Sequence, residues 1–210
     1  SKFSTTFENR YDHKKGRVQY IYNRADDLGI SAVPRVWRHT QIVHFGPMVD
    51  EISPHSIEHF PNVFKGITAQ GWLRRWDESG RVHRRDWTEA VETLPKVNAV
   101  VISIDDVEGD WEYLDRWGEL TRVLVITQGA LGATVIVKGD RYQFRAPQME
   151  EIDPTGAGDI FAAAFFIRYQ QTDDPWVACR YAVRLASASC SRVGPSGLPS
   201  PSEIIDALDE

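Results

Sequence analysis

Asp159 is the side chain whose neighbours best equip it for chemistry. It closes the run Asp153-Pro154-Thr155-Gly156-Ala157-Gly158-Asp159, and Ile160 to Ile167 continues as an apolar stretch of good helix formers. A two-glycine turn opening into a helix leaves first-turn N–H groups without intrahelical partners, at the positive end of the helix dipole. Gly156 and Gly158 let the backbone come close to a ligand. The run reads as an anion or phosphate cradle, with Asp159 inside it as a carboxylate able to take a proton from an attacking hydroxyl. Taken alone, the tetrapeptide Gly156–Asp159 is better explained as a tight turn capped by the aspartate.

Other residues of chemical interest sit where strands should end. Val97 to Ile104 is a continuous apolar run of the kind buried parallel strands show, and it stops at Asp105-Asp106. A hydrated Mg²⁺ could be held there, with Asp106 the metal candidate; helix capping is the competing use. Thr127-Gln128-Gly129-Ala130-Leu131-Gly132 follows the strand expected over 122–126. Its Thr-x-Gly-x-x-Gly pattern is weak by itself. Gln70 and Arg74 lie just past a strand expected over 63–68, beyond the carboxyl end where ligands gather in open α/β sheets.

The elements that must position these residues alternate. Residues 4–23 read as a hairpin around the polar turn Asp12-His13-Lys14-Lys15-Gly16. Strands follow over 41–45, 63–68, 97–104 and 122–126, then a hairpin of 134–138 and 141–145 around Gly139-Asp140. Helices are expected from Ser53-Pro54 to Phe60, Asp86 to Leu94, Val107 to Leu120, after Asp159, from Asp174-Pro175 to about Ser191, and from Ser200-Pro201-Ser202-Glu203, a capping box, to Leu208. The alternation predicts a layered α/β fold with a largely parallel sheet.

The Asp153–Asp159 run closely resembles the C-terminal signature of the PfkB (ribokinase-like) carbohydrate kinases. The resemblance implies a ribokinase-like three-layer fold with a small β lid, here residues 4–23, within a single kinase domain over 1–210. It implies phosphoryl transfer from ATP to a hydroxyl of a sugar or polyol, with Gly156, Ala157 and Gly158 as anion hole and Asp159 as base. Thr127, Gly129, Gly132 and Thr155 inherit contacts to the nucleotide phosphates, and the helix from Pro175 with its preceding loop inherits a wall of the adenine pocket. Magnesium is implied, and Asp153 is matched to a monovalent-cation site such as K⁺. The family's Asn-x-x-Glu motif is met only by Ser103-Ile104-Asp105-Asp106. Gln70 to Arg74 and Gly46-Pro47 look most similar to inositol-kinase-like members, with Gln70 and Arg74 toward the substrate.

Family members carry a further N-terminal stretch with a first strand, more lid strands and a Gly-Gly sugar motif, so the N-terminal part is expected to be missing. The chain is then a fragment of a longer kinase, or completed by a partner, or a non-catalytic nucleotide-binding module. A homodimer through the lid is also implied.

Composition narrows the class. The 210 residues suit one domain, with 42% hydrophobic and 26% charged residues. No apolar run approaches the ~18 residues of a membrane span, and a formal charge of −6 gives no reason to expect nucleic acid. The Arg74-Arg75 and Arg81–Arg85 clusters alternate with acids and read as a solvated face. Cys179 and Cys190, if helical, stand roughly 16 Å apart, too far to bridge. A reducing cytoplasm and no zinc site are expected.

Overall fold

The computed structural model describes residues 1–12 and 16–208; His13, Lys14 and Lys15 of the expected hairpin turn lie outside the described residues. The chain opens with β1 (Thr6–Asp12) and β2 (Gly16–Asn23), an antiparallel pair. There follow β3 (Ile42–Phe45), β4 (Phe64–Thr68), β5 (Arg74–Trp76), β6 (Val82–Arg84), the single-turn α1 (Ala90–Thr93), β7 (Ala99–Ser103), α2 (Trp111–Leu120), β8 (Leu124–Thr127), β9 (Ala133–Val137), β10 (Asp140–Phe144), α3 (Ala157–Thr172), α4 (Pro175–Ser189) and α5 (Pro201–Asp206).

Six strands form the central sheet in the order β10-β9-β8-β7-β4-β3. β3, β4, β7 and β8 run parallel, while β9 and β10 close one side antiparallel. Alternation along the central strands separates two cores. Val100, Ile102, Leu124 and Ile126 face a layer with Ile57, Trp72, Leu94, Leu114 and Trp117. Ala99, Val101, Val125 and Val135 face α3 and α4 through Phe161, Phe165, Ala178 and Ala182. Period-two side-chain direction thus makes every central strand apolar on both faces and builds three layers. Alanines in α3 and α4 let that pair approach closely.

The outer pieces differ from expectation in instructive ways. Residues 54–59 form a 3-10 turn rather than an α-helix. The helix expected over 86–94 shrinks to Ala90–Thr93: at its front Trp87 N–H donates to the Tyr113 hydroxyl at 3.2 Å, and behind it Leu94–Lys96 tightens into a 3-10 turn around Pro95. The helix expected from Val107 starts at Trp111, since Glu108 and Gly109 both take left-handed φ, 55° and 80°. The basic clusters are a solvated face only in part, with Arg75 and Arg81 exposed. They form the β5–β6 hairpin, in which Arg74 is buried, Arg84 pairs with Asp110 at 3.0 Å and Arg85 with Asp50 at 2.8 Å. Ile21 N–H donates to the Gly80 carbonyl at 2.8 Å, seating the β1–β2 hairpin on that second one. Cys179 and Cys190 are free, and no described helix is long and apolar enough to cross a membrane.

Candidate active site

Parallel strands share one carboxyl edge, so the ends of β3, β4, β7 and β8 bring His44, Thr68, Gln70, Asp106 and Thr127 to the same side of the sheet. The N-terminus of α3 meets that edge: the Phe166 ring packs edge-on against His44 at 5.1 Å, two turns below Asp159.

Gly156 is the N-cap of α3 with φ 84°, a conformation glycine takes at no steric cost, and it offers no side-chain hydrogen bond to the first turn. A Cβ built on Gly156 or Gly158 would meet nothing within 4 Å. The space in front of the first-turn amides is therefore open, with no packing reason for glycine at Gly158. The Asp159 side chain is exposed and hydrogen-bonds to no other described residue.

Asp153 anchors the turn that presents this cradle. Its carboxylate accepts from Thr155 N–H at 3.0 Å and from Gly194 N–H at 3.0 Å. The Thr155 hydroxyl and these amides hold its pKa below the usual carboxylate range. Cys190 at the end of α4 fixes the same segment, its carbonyl accepting from Ile152 and Asp153 at 2.8 and 3.0 Å.

The second glycine loop lies at the end of β8. Thr127 Oγ1 donates to the Ile102 carbonyl at 3.4 Å, and Gly129 to Leu131 make a 3-10 turn. Gly132 is structurally obligatory: at φ 92°, a Cβ would sit 1.9 Å from the Phe144 carbonyl oxygen.

The other expected residues reach the same region but have structural partners. Gln70 Nε2 donates to Asp106 Oδ1 at 2.9 Å, joining the ends of β4 and β7. Asp106 Oδ2 accepts from Ser103 N–H at 3.2 Å in a capping box, the competing use foreseen for it. Arg74 donates to the Met48 carbonyl at 3.1 Å and to Gln19 Oε1 at 3.0 Å, beneath the Phe7 ring, so it ties the first hairpin to the loop after β3. No group of three or more His, Cys, Asp or Glu suited to a metal ion occurs among the described residues.

His44 escaped the sequence reading. Its Nε2 shares a 2.9 Å hydrogen bond with Thr68 Oγ1. Desolvation lowers its pKa, and the charge of Asp159 pulls the other way. The only signal in the sequence was its place one residue before the end of an edge strand.

Comparison with known proteins shows what the chain is similar to. Residues 101–202 match the model for pfkB family carbohydrate kinases. This segment is similar to that family. A ribokinase from Bacillus subtilis is 35% identical over 86 residues, covering 40% of this chain and 29% of that protein. The chain thus spans less than a third of that curated relative. Among solved structures, a pyrophosphate-dependent kinase in the ribokinase family, in a sulfate complex, superposes with a TM-score of 0.79 at 22% identity. It covers 97% of this chain and 74% of that one. Arabidopsis thaliana ribokinase complexed with ribose and ATP gives 0.70 at 15% identity, over 98% and 69%. The fold is ribokinase-like, and the pfkB segment contains both glycine loops and Asp159.

Proposed function

We propose that this chain serves an ATP-dependent phosphotransferase acting on a hydroxyl of a sugar or polyol. The observation that carries the reading is the uncapped, unobstructed N-terminus of α3 with exposed Asp159 in its first turn. The acceptor oxygen attacks the terminal phosphorus, the bridging P–O bond breaks, ADP leaves with the electron pair, and Asp159 takes the hydroxyl proton. The amides around Gly156, Ala157 and Gly158 stabilise the charge on the transferring group. Thr127, Gly129, Gly132 and Thr155 hold the remaining donor phosphates.

Mg²⁺ would supply charge neutralisation when bound, and Asp106, whose carboxylate already accepts from Gln70 and Ser103, is the residue that would hold it through its hydration shell. No step above depends on a protein-held metal. The ionised carboxylate of Asp153 would favour a monovalent cation beside its turn. The β1–β2 hairpin acts as lid and dimer surface, with Gln70 and Arg74 shaping the acceptor side; cytoplasmic location follows the same reading.

A second reading is a nucleotide-binding module without turnover. The structural partners of Gln70, Arg74 and Asp106 favour it, since they leave the acceptor side with few uncommitted polar groups.

The deciding experiment measures ATP turnover with Mg²⁺ against myo-inositol, ribose, fructose and nucleosides, comparing wild type with Asp159→Asn. One accepted substrate, lost in the variant, supports the kinase. Tight ATP binding without turnover supports the module, and absence of ATP binding removes both.

A further inference from the structure

His44 stands at the carboxyl edge of the sheet beside the residue read above as the base. Packing fixes where α3 crosses β3 and β4. A Cβ on Gly66 would lie 2.6 Å from the Phe166 ring, so that ring takes the place of a side chain there and packs edge-on against His44 at 5.1 Å. Asp159 and Phe166 stand two turns apart on one stripe of α3. The carboxylate thus lies on the imidazole's side of the helix, and the titration of the ring feels its charge.

The ring is anchored and still has a polar atom to offer. Its Nε2 shares the 2.9 Å hydrogen bond with Thr68 Oγ1, and its Nδ1 bonds to no other described residue. His44 is exposed, and Gly46 leaves the pair bare. A Cβ on Gly46 would stand 3.2 Å from Thr68 Oγ1 and 3.5 Å from His44 Nε2. Desolvation lowers the His44 pKa, which keeps the ring mostly neutral at pH 7, so Nδ1 is either a donor or an acceptor. An alcohol is both and matches either tautomer, whereas a carboxylate only accepts. Charge at this edge points the same way. Asp106 and Asp159 are acidic, while Arg74 is turned to the Met48 carbonyl and to Gln19. Such an edge repels an anionic acceptor and admits a neutral one.

We propose that His44 is a specificity-determining residue whose Nδ1 binds a second hydroxyl of the acceptor, beside the one that Asp159 deprotonates, and so selects an uncharged polyol over a sugar acid. This rests on the reading of Asp159 as base. No bond is made or broken at His44; with Thr68 holding the ring, it fixes which hydroxyl faces the donor. A purely structural His44 would need only its Nε2.

The test is calorimetric titration of the whole chain, first with Mg²⁺ and a non-hydrolysable ATP analogue, then with myo-inositol, ribose, fructose and gluconate. It compares wild type with His44→Asn, His44→Gln and His44→Phe, each checked by a melt. An asparagine amide reaches the place of Nδ1 and a glutamine amide that of Nε2, while phenylalanine keeps a ring against Phe166 and loses both. At least one neutral acceptor should bind the wild type, with gluconate about tenfold weaker or worse. Its affinity should fall about fivefold or more in His44→Gln and His44→Phe, the worth of one neutral hydrogen bond, and stay within about twofold in His44→Asn. Affinity kept by His44→Gln and lost by His44→Asn overturns the proposal, giving the ring to Thr68 alone. Three variants that all bind like wild type overturn it too, as does gluconate bound as tightly as the neutral acceptors. The wild-type preference is read without any substitution, so it decides even where a variant melts early. Nucleotide analogue bound with no acceptor bound overturns the proposal and leaves the donor cradle. No binding of the analogue removes the reading on which the proposal rests.

Discussion

Two glycine loops meet at one edge of the sheet, and glycine does a different job in each. In the loop after β8, Gly132 is pressed against the Phe144 carbonyl, and nothing larger fits. In the loop before α3, Gly156 and Gly158 face open space. The first loop spends its glycine on its own packing. In the second, Gly156 answers to its positive φ, and Gly158 has neither packing nor φ to explain it. Ala157 N–H is taken by the Pro154 carbonyl at 3.2 Å, so the cradle is left to the amides beside it, next to a residue kept small before an empty volume.

The largest expected effect falls on the packed loop. Gly132→Ala should cost several kcal/mol, above the ~1–3 kcal/mol of ordinary overpacking, because the clash is with backbone at positive φ. A thermal melt checks this, and a variant as stable as wild type would break the contrast. Next, Asp159→Asn should lower the turnover rate by ~10²–10⁴ while leaving the melting temperature unchanged. Steady-state kinetics beside a melt separates the two, since the exposed carboxylate makes no hydrogen bond or ion pair with a described residue.

A smaller effect sharpens the electrostatics of the open loop. Burial among its neighbours lowers the His44 pKa below 6.5, and the Asp159 charge opposes that. Asp159→Asn should therefore move the His44 titration further down, as read by imidazole NMR; an upward shift would contradict the arrangement. The sign for stability follows. The unfolded chain protonates this ring near 6.5 and the folded chain only lower, so the stability linked to His44 is present above 6.5 and is lost as pH falls below it.

What was legible in the sequence follows the same division. Buried parallel strands announce themselves as apolar runs, and β4, β7 and β8 fall where those runs predict, as does α4 behind Asp174-Pro175. The capping box at Ser200 and Glu203 is present, both partners in place. Short pieces were not legible. Glu108 adopts left-handed φ with no glycine at that position to signal it. Arg74 reads as a surface charge until two separate hairpins close over it. His44 shows nothing in one dimension, because its importance comes from α3 arriving more than a hundred residues later. Local chemistry was readable wherever one stretch of chain made it, and hidden wherever tertiary pairing did.

The central claim, that the loop before α3 is open because it binds the donor, is tested most directly by Gly158→Ala. The melting temperature and the dissociation constant for ATP with Mg²⁺ would be measured on the same preparation. The new methyl group meets nothing within 4 Å, and alanine is favoured over glycine in a helix by up to about 1 kcal/mol. The account predicts a melting temperature equal to or above wild type, with donor affinity weakened about tenfold or more by the methyl group standing in the cradle. An unchanged affinity, or a protein several degrees less stable, would contradict it.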